Sequence, residues 1–507
     1  MSCRRVTAVG ADSRVGQRIA AARVAAGIRL EALDEFVSPQ AVEEAVGSCG
    51  RREKRWCACL PASAVVYFVL AMCLHFSEGY AEILRKLTDG LRDAVHAGAL
   101  RVAGTSAVSK ARARLGPEPL KALFEQVRGP LTTPQSPGAF AFGRRLLMLS
   151  LDGTVLAVAP TPANAKAFGP PPPGGSHRSG RHPQVKLVLL IACGTRGILD
   201  ARFGPRLDNE VTLAKDLAAA PTLSHGQLVL MDRAFHGHDI LAQITASGAD
   251  FIVRAHSHHW LPHLRELDDG SFLSCVPDRA SSNRQAASRF CNRRMPPGHP
   301  HGVAVRVVDA DITATPERGE PRTRPLRVIT SLLDPHQAPA EHVAAVYAER
   351  WNSETSLFEA KILQRDRQRL LRSKDPDGIT QEIYGLLITH QYLQAQRAQA
   401  ASASLDPTTR KALDPDRISF TVILRATRRH LHYQPTTGQP PLIAIVQAEA
   451  LALLIPRRPH RTRPRATQGS NHRIRAPGPL PTGNVTYTIT ICRRDETPRV
   501  TPQPPTT

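Results

Sequence analysis

The sequence predicts a mixed α/β protein with more than one domain, and three observations support this prediction. The chain has 507 residues, and roughly three domains are expected at about 150 residues each. Apolar residues make up 42% of the chain, which allows a large core and excludes extended disorder as the main state. From about residue 145 onward, short apolar strands come first and then alternate with helices, a pattern typical of helices packed on a sheet.

Composition points to a polyanionic partner and a reducing compartment. Lys and Arg number 66 against 44 Asp and Glu, a formal net charge of +22, and such an excess favours nucleic acid binding. The nine cysteines are odd in number and irregularly spaced, which argues against a disulfide framework. The closest group, Cys49, Cys57 and Cys59, lacks the paired spacing of a zinc site.

Residues 1–128 are predicted to be a helical domain, because their apolar residues show helical spacing or form long runs. The predicted helices are Arg18–Ala26, Leu30–Phe36, Ala62–Phe76, Ala81–Leu91, Ser106–Leu115 and Pro119–Gln126. The last two flank a Gly-Pro turn and resemble a helix-turn-helix, although an ordinary solvated helix pair fits equally well. Three basic residues of the first helix in this pair, Lys110, Arg112 and Arg114, are candidate DNA-binding residues.

No membrane association is predicted. The N-terminus lacks the apolar segment of a signal peptide. The longest apolar run, Ala62–Leu74, is too short to span a bilayer and is expected to be a buried helix. We therefore expect a soluble, cytoplasmic protein.

The central region alternates strands and helices. Residues 129–140 form a linker by composition. Arg145–Leu151 is predicted to be a buried strand that ends at Asp152. The strands and helices expected after it are a hairpin of Gln184–Cys193 with Gly197–Phe203, a helix at Asp208–Leu217 with Asp208 as its cap, a strand at Gln227–Met231, a helix at His238–Ala246 and a strand at Phe251–Arg254.

The rest of the chain is assigned to four regions. Residues 265–325 contain short β runs between polar, Gly- and Pro-rich stretches and are predicted to be a β-rich insertion. Residues 326–372 hold a strand and one long helix, Ala340–Leu363, and residues 373–455 are predicted to be helical. Residues 456–507 are rich in Pro and Arg, and we expect a disordered tail that binds phosphate without sequence preference.

Three acidic residues are candidate metal ligands. Asp152 and Asp232 each follow an apolar strand, and Glu354 lies on the long helix. If the two strands are neighbours, both Asp side chains emerge at one sheet edge, and a helix packed on that sheet can bring Glu354 to them. Three convergent carboxylates repel one another unless cations neutralise them, and oxygen ligands suit Mg²⁺ or Mn²⁺. Taken singly, an Asp at the end of a strand is more often explained by turn chemistry than by metal binding.

The long helix strengthens this prediction. If it is regular, Tyr347, Arg350, Glu354 and Lys361 fall within a sector of about 60°. Such a face suits a carboxylate ligand flanked by phosphate-binding groups. An ordinary amphipathic helix is the alternative.

The spacing Tyr-x2-Arg-x3-Glu-x6-Lys identifies a family resemblance. YAERWNSETSLFEAK resembles the YREK motif of bacterial DDE transposases of the insertion-sequence-four type. DGTVLAVAPTPANAKAFG is similar to the first-Asp block of that family, VLMDRAFHGHDI to its second-Asp block, and LRVITSLLDP to the strand before its Glu helix. GRREKRWCACLPASAVVYFVLAMCL resembles its N-terminal domain. The resemblance covers about residues 30–430, and the tail after Pro456 matches no part of it.

The resemblance implies an RNase H-like catalytic core split into residues 141–264 and 326–372, flanked by the helical DNA-binding domain and the helical C-terminal region. Asp152, Asp232 and Glu354 would be catalytic and would hold two Mg²⁺, for which Mn²⁺ could substitute. The protein would cut out an insertion sequence by hydrolysis, through hairpinned ends, and join the released 3′-hydroxyls to target DNA.

The implied partners are the double-stranded terminal inverted repeats and target DNA. Tyr347, Arg350 and Lys361 would contact the DNA ends. Arg233 is predicted to contact phosphate, and Trp351, near Glu354, is predicted to have a packing role. A dimer is expected when two ends are paired, and the protein is expected in the nucleoid of a bacterial cytoplasm.

Two alternative functions remain open. One is a metal-dependent endonuclease without strand transfer, and the other is a catalytically inert DNA-binding relic.

Two other clusters carry weaker predictions. His256, His258, His259 and His263 could bind a soft metal, but a solvated or DNA-facing surface is the preferred interpretation. Asp200 and Glu210 lie near the predicted sheet without an assigned role.

Overall fold

The computed structural model describes residues 30–52, 60–88, 104–171, 182–256, 261–278, 302–318, 320–366, 370–431, 438–456 and 482–493. The predicted helix Arg18–Ala26, Cys57, Cys59, His258 and His259 lie outside these residues. None of the helices in the described ranges combines the length and the apolar composition that a membrane span requires.

The described helices agree closely with the sequence pattern at most positions. The first six are α1 (Pro39–Ser48), α2 (Ala62–Leu74), α3 (Tyr80–Thr88), α4 (Thr105–Leu115), α5 (Glu118–Val127) and α6 (Pro162–Phe168). The others are α7 (Glu210–Ala218), α8 (His238–Ala246), α9 (Ala340–Val346), α10 (Trp351–Phe358), α11 (Pro376–Ser402), α12 (Phe420–Arg429) and α13 (Leu442–Ala452). Short 3₁₀ segments include Glu31–Leu33, where the sequence pattern predicts a longer helix.

The strands form a large mixed sheet. They are β1 (Phe140–Ala141), β2 (Leu146–Val158), β3 (Gln184–Ala192), β4 (Ile198–Pro205), β5 (Gln227–Met231) and β6 (Asp250–Arg254). The remaining strands are β7 (Arg265–Glu266), β8 (Phe272–Pro277), β9 (Gly302–Arg318), β10 (Arg322–Thr330), β11 (Leu370–Leu371) and β12 (Thr482–Ile491). The predicted mixed α/β class is confirmed.

The chain divides into two compact units that do not follow chain order. The first unit comprises Met1–Ala139, Asp152–Leu213 and Asn352–Pro456, and the second comprises Phe140–Leu151, Ala214–Trp351 and Arg457–Thr507. The unit boundaries therefore fall inside β2 and α7 and directly after the first residue of α10. Helices from the predicted N-terminal domain and from the predicted C-terminal region share one hydrophobic core in the first unit.

Helix α11 lies at the centre of the first unit. It packs against α2, α5, α12 and α13, and it buries polar side chains as well as apolar ones along its 27 residues. Gly385 allows α11 and α2 to approach closely, because a Cβ there would lie 2.9 Å from both Val69 Cγ1 and Cys73 Sγ. The strand order in this unit is β4-β3-β2, and β3 and β4 form the predicted antiparallel hairpin.

The segment predicted as a linker, residues 129–140, has no helix or strand before β1 begins at Phe140, but it is held against the turn of the β3–β4 hairpin. The Gly129 amide donates to the Ile198 carbonyl, and the Thr195 hydroxyl donates to the Pro130 carbonyl. Gly194 in that turn has φ +80°, and a Cβ on it would lie 2.5 Å from the Pro137 oxygen. A residue larger than glycine would push the segment away from the hairpin.

The second unit is a sheet in the order β2-β5-β6-β10-β9-β8-β7. Strand β5 is parallel to β2 and to β6, whereas β10 is antiparallel to both β6 and β9. The predicted β-rich insertion corresponds to β7, β8, β9 and the beginning of β10. Helix α8 packs on β6 and β9, and α9 packs on β9 and β12.

The prediction of a disordered tail is wrong for residues 482–491. These residues form β12, which pairs antiparallel with β9 along Ala310–Arg318. Their alternation of Thr with Tyr and Ile is typical of a strand with two different faces, but the Pro- and Arg-rich composition of the surrounding chain obscured it. The strand forms because β9 is 17 residues long and extends past β8, so its edge requires a partner.

Gly385→Ala is expected to lower the free energy of unfolding. The methyl would overlap Val69 and Cys73 on α2, and overpacking of this kind costs about 1–3 kcal/mol, more than the gain of about 1 kcal/mol in helix propensity. Urea unfolding of the purified protein measures the difference. Gly79→Ala is the matched control, because a Cβ added there would meet no atom of the described residues within 4 Å; equal destabilisation by both changes would contradict the close α2–α11 approach.

Candidate active site

The two candidate aspartates follow matched positions of parallel strands. Residues Leu147–Leu151 of β2 pair with Gln227–Met231 of β5, and the last pair is Leu151 with Met231. Asp152 follows Leu151 within β2, and Asp232 follows Met231 directly after the end of β5. The prediction that β2 ends at Asp152 is wrong: the strand continues to Val158, because its second half pairs with β11 and lies beside β3.

Backbone amides orient both carboxylates. Asp152 Oδ1 accepts a hydrogen bond from the Gly153 amide at 2.8 Å, and Asp232 Oδ1 accepts one from the Arg233 amide at 2.7 Å. Asp232 caps the 3₁₀ segment Arg233–Phe235. Both side chains are half-buried, so each carboxylate retains access to solvent.

Glu354 lies on α10, and its preceding residue contacts Asp152. The Ser353 hydroxyl donates to Asp152 Oδ2 at 3.3 Å within the first unit, which ties the Glu helix to β2. Asp152, Glu354 and Lys361 belong to the first unit, whereas Asp232 belongs to the second. A single centre formed by all three carboxylates is therefore a proposal that draws on both units.

The predicted regular helix over Ala340–Leu363 is wrong. Helix α9 ends at Val346, a 3₁₀ segment covers Tyr347–Arg350, α10 follows, and Glu359–Leu363 is a π-helical turn. The 3₁₀ and π segments advance by angles other than 100° per residue. The 60° sector calculated for the YREK residues therefore does not apply, although their spacing is unchanged.

Two of the YREK residues are buried in the second unit. Burial raises the pKa of Tyr347 to about 12, with Arg350 lowering it and Asp232 raising it further. Arg350 is 7% exposed, its guanidinium lies 5.7 Å from the Trp351 ring centre, and its carbonyl accepts from the Ser150 hydroxyl at 3.2 Å. Trp351, for which a packing role is predicted, is 37% exposed, and its ring lies against this guanidinium.

Lys361 contacts the same strand as Ser353. Its Nζ donates to Thr154 Oγ1 at 3.1 Å within the first unit. Burial, together with the positive charge of Arg365, lowers its pKa. Asp152 and Thr154 are two residues apart and therefore lie on one face of β2, so both contacts lie on that face.

The four remaining DNA-binding candidates differ in exposure. Lys110, Arg114 and Arg233 are exposed. Arg112 is 5% exposed, and its guanidinium donates to the Gln381 side chain and the Gly378 carbonyl of α11 at 2.9 and 3.0 Å. The prediction that Arg112 binds DNA is therefore wrong: it faces the helical core, whereas its neighbours at 110 and 114 face outward.

The sequence did not reveal a buried ionic cluster beside the Glu helix. Glu359 is 3% exposed and accepts hydrogen bonds from Arg196 and Arg397 at 2.9 and 3.1 Å. Burial alone would raise the pKa of Glu359, but the two guanidinium groups outweigh it and lower the pKa to about 2. His390 is fully buried next to this cluster, and burial lowers its pKa to about 4. These residues are far apart in the chain, so sequence spacing could not have identified them.

Two further aspartates singled out in the sequence, Asp200 and Asp208, lie outside the candidate site. Asp200 is buried with Arg202 and Arg128. The prediction that Asp208 caps α7 is wrong, because the helix begins at Glu210 and Asn209 Oδ1 accepts from the Val211 amide.

A different cluster has metal-like spacing. Within the described ranges, His238, Asp239 and Asp278 have ligand atoms within 4.8 Å of one another, and the three predicted catalytic carboxylates are not part of this group. Lys215 already donates to Asp239, so an ammonium group occupies part of the cluster. His263 stacks on Phe272, as expected for a structural or surface residue.

Comparison with known proteins identifies two family models along the chain. The model described as "Insertion element 4 transposase N-terminal" matches residues 27–125, and the model described as "Transposase DDE domain" matches residues 145–391. Together they cover more than half of the chain. The chain belongs to the IS4-type family of DDE transposases.

Two relatives from Escherichia coli K12 agree with this assignment. Transposase InsG of insertion sequence element IS4 is 24% identical over 405 residues, which cover 77% of this chain and 80% of the relative. InsZ is 25% identical over 262 residues, which cover 48% of this chain and 79% of the relative.

The family assignment confirms the resemblance seen in the YREK spacing and the two Asp blocks. A DDE transposase domain implies an RNase H-like core, DNA binding and DNA phosphoryl transfer. The order β4-β3-β2 in the first unit and β2-β5-β6 in the second is consistent with such a core in this IS4-type transposase.

Arg112→Ala is expected to destabilise the protein without a specific effect on DNA affinity. Loss of the buried hydrogen bonds to α11 should lower the free energy of unfolding by about 2–3 kcal/mol. Lys110→Ala, two residues away and exposed, should change stability by less than about 0.5 kcal/mol. Urea unfolding and DNA titration of both variants provide the measurement; a specific loss of affinity in a stable Arg112 variant would restore its predicted DNA-binding role.

His390 is expected to make stability depend on pH between about 6.5 and 4. Its folded-state pKa is about 4, so the unfolded chain takes up a proton there that the folded chain does not. The free energy of unfolding should therefore fall by about 3 kcal/mol as the pH decreases across this range. Glu359, Arg196 and Arg397 face this histidine and carry the neighbouring charges.

The measurement is urea unfolding at pH 7, 5.5 and 4.5 for the wild type and His390→Gln. The variant should show a smaller decrease in stability with falling pH, since Gln does not titrate. Identical pH dependence in the two proteins would mean that His390 is not the group responsible.

Proposed function

We propose that this IS4-type transposase carries out metal-dependent cut-and-paste transposition of an insertion sequence. The reaction would comprise binding of the terminal inverted repeats, hydrolysis at the element ends and strand transfer into target DNA. The observation that carries the proposal is the β2–β5 register, in which Asp152 and Asp232 follow the matched pair Leu151 and Met231. The Ser353–Asp152 hydrogen bond, beside Glu354, supports the third carboxylate.

The donor set fits two Mg²⁺ ions, with Mn²⁺ as a substitute. Asp152, Asp232 and Glu354 offer carboxylate oxygens, which hard divalent cations prefer, and all three side chains are half-buried rather than enclosed. When bound, a pair of such ions would activate the attacking oxygen and stabilise the leaving oxygen of the phosphodiester. The amides of Gly153 and Arg233 would hold the two aspartates in orientation.

Basic residues near these carboxylates would hold the DNA. Lys361 contacts Thr154, which lies on the face of β2 that carries Asp152. We expect the Lys361 ammonium group to contact the phosphate of the transposon end. Arg233 directly follows Asp232 and is exposed, which suits a phosphate contact. Tyr347 and Arg350 are buried, so their proposed contact with the end DNA near Asp232 would require their side chains to move when DNA binds.

The N-terminal helices would contribute to recognition of the inverted repeats. Lys110 and Arg114 are exposed on α4 and would contact the DNA backbone, which positions a protein on the duplex without reading its sequence. Pairing of two element ends would require at least a dimer in the reacting complex.

Replacing any of the three carboxylates by its amide is expected to abolish cleavage while DNA binding is retained. Asp152→Asn, Asp232→Asn and Glu354→Gln preserve side-chain shape and remove a metal-binding charge. The measurements are cleavage of a linear duplex that carries the element end, with Mg²⁺ and with Mn²⁺, and binding to the same duplex without metal. Asp216→Asn, at an exposed position on α7, is the control; full cleavage by any one amide variant would remove that residue from the proposed centre.

Strand transfer distinguishes transposition from simple DNA cutting. Incubation of end-containing duplexes with a target plasmid and Mg²⁺ should yield joined products, because the released 3′-hydroxyl attacks the target. Mg²⁺-stimulated breaks without joined products would identify an endonuclease. Binding without any metal-stimulated cleavage would identify an inert DNA-binding protein.

A further inference from the structure

The π-helical turn after Glu354 is an unusual feature of the helix that carries the YREK residues. It covers Glu359–Leu363, and its wide spacing is seen in the bond from the Gln364 amide to the Glu359 carbonyl at 2.9 Å, five residues apart. Such turns are rare and occur frequently at functional sites. Lys361 lies in the middle of this turn.

Glu359 opens the turn and is held by charged groups from two other segments. Arg196, in the β3–β4 turn, donates to Glu359 Oε1 at 2.9 Å and also pairs with Asp416. Arg397 of α11 donates to the same oxygen at 3.1 Å. Gln394 Nε2 donates to Glu359 Oε2 at 2.8 Å. The carboxylate therefore joins the hairpin, the π turn and α11.

Further polar contacts fix the helix on either side of Glu359. The Ser356 hydroxyl and Gln364 Oε1 are hydrogen-bonded to the two ring nitrogens of His390, at 3.1 and 3.2 Å. Gln364 also donates to Thr389 Oγ1 at 2.7 Å. Ser356, Glu359 and Gln364 thus attach one side of the helix to α11 along its length.

The same helix reaches β2 through other residues. Ser353 donates to Asp152, and Lys361 donates to Thr154. Contacts to α11 and contacts to β2 therefore alternate along one short stretch of chain. A shift of the π turn would move Lys361 and Glu354 relative to Asp152.

We propose that Glu359, clamped by Arg196 and Arg397, is a positioning residue that sets the π turn and thereby places Lys361 and Glu354 against β2. This inference rests on the proposed catalytic role of Asp152 and Glu354. The cluster is better suited to positioning than to stabilisation alone, because burying ions is costly and an apolar contact of similar size stabilises a fold as well or better. The directional ion pairs define where the turn lies, which an apolar contact does not.

The test compares two buried carboxylates. Glu359→Gln removes the clamp and keeps the side-chain shape. Glu382→Gln is the matched control, because Glu382 is also fully buried, lies on α11 and accepts from Ser373 and Arg372 amides rather than from the Glu helix. The measurements on each full-length protein are amide hydrogen exchange of residues 351–366, metal-free binding to end DNA, and Mg²⁺-dependent end cleavage.

Glu359→Gln should speed hydrogen exchange at 359–366 and reduce the cleavage rate by about 10- to 100-fold, as expected for a small misplacement of reacting groups. DNA binding should change little. Glu382→Gln should leave exchange at the π turn, residues 359–363, unchanged and affect cleavage less than about twofold. Wild-type cleavage by Glu359→Gln, or equal loss in both variants, would overturn the positioning role.

A second variant covers the case in which Glu359→Gln does not fold. Glu359→Gln combined with Arg196→Met removes both members of one ion pair, while Arg397 keeps its pairing with Asp416. It should show the same rapid exchange and slow cleavage, and normal cleavage would overturn the proposal. If the wild type cleaves no end DNA with any divalent metal, the proposed function fails, whereas the exchange measurement still reports whether Glu359 holds the turn.

Discussion

The parallel pairing of β2 with β5 is the interaction on which the proposed chemistry depends. Five residues of each strand match in register, and most of them are buried on both faces of the sheet. A slip by one residue would exchange the two faces and disrupt the packing of these side chains. The cost of such a slip protects the register. Because Asp152 and Asp232 come directly after the last matched pair, hydrophobic burial sets the position of two charged residues.

The polar interior of the first unit has a comparable role for the Glu helix. Helix α11 is buried along most of its length, yet it carries His390, Gln394 and Arg397 toward the segment that holds Glu354 and Lys361. Every polar group buried in this way must find a partner or lose the solvation free energy that water supplied. The hydrogen bonds to Ser356, Glu359 and Gln364 meet this requirement. They also explain how the helix can depart from α geometry without loss of order.

Strand β12 is a part of the fold that the matched family models do not cover. The two matched models extend over residues 27–125 and 145–391, and strand β12 lies beyond both. Its pairing with β9 gives the end of the chain a structural role in the second unit. Arg493, shortly after this strand, donates to the Asp268 carbonyl in the β-rich insertion at 3.2 Å.

Sequence alone determined the features that depend on local pattern. Apolar runs and turn residues located the β3–β4 hairpin, β5 and α8, and the YREK spacing with the two Asp blocks identified the family. Tertiary structure decided which side of a helix is buried, and so it excluded Arg112 from the DNA-binding residues while leaving Lys110 and Arg114 exposed. It also decided the 3₁₀ and π turns around Glu354 and the Arg196–Glu359–Arg397 cluster. These features arise from contacts between segments distant in the chain, which no local periodicity encodes.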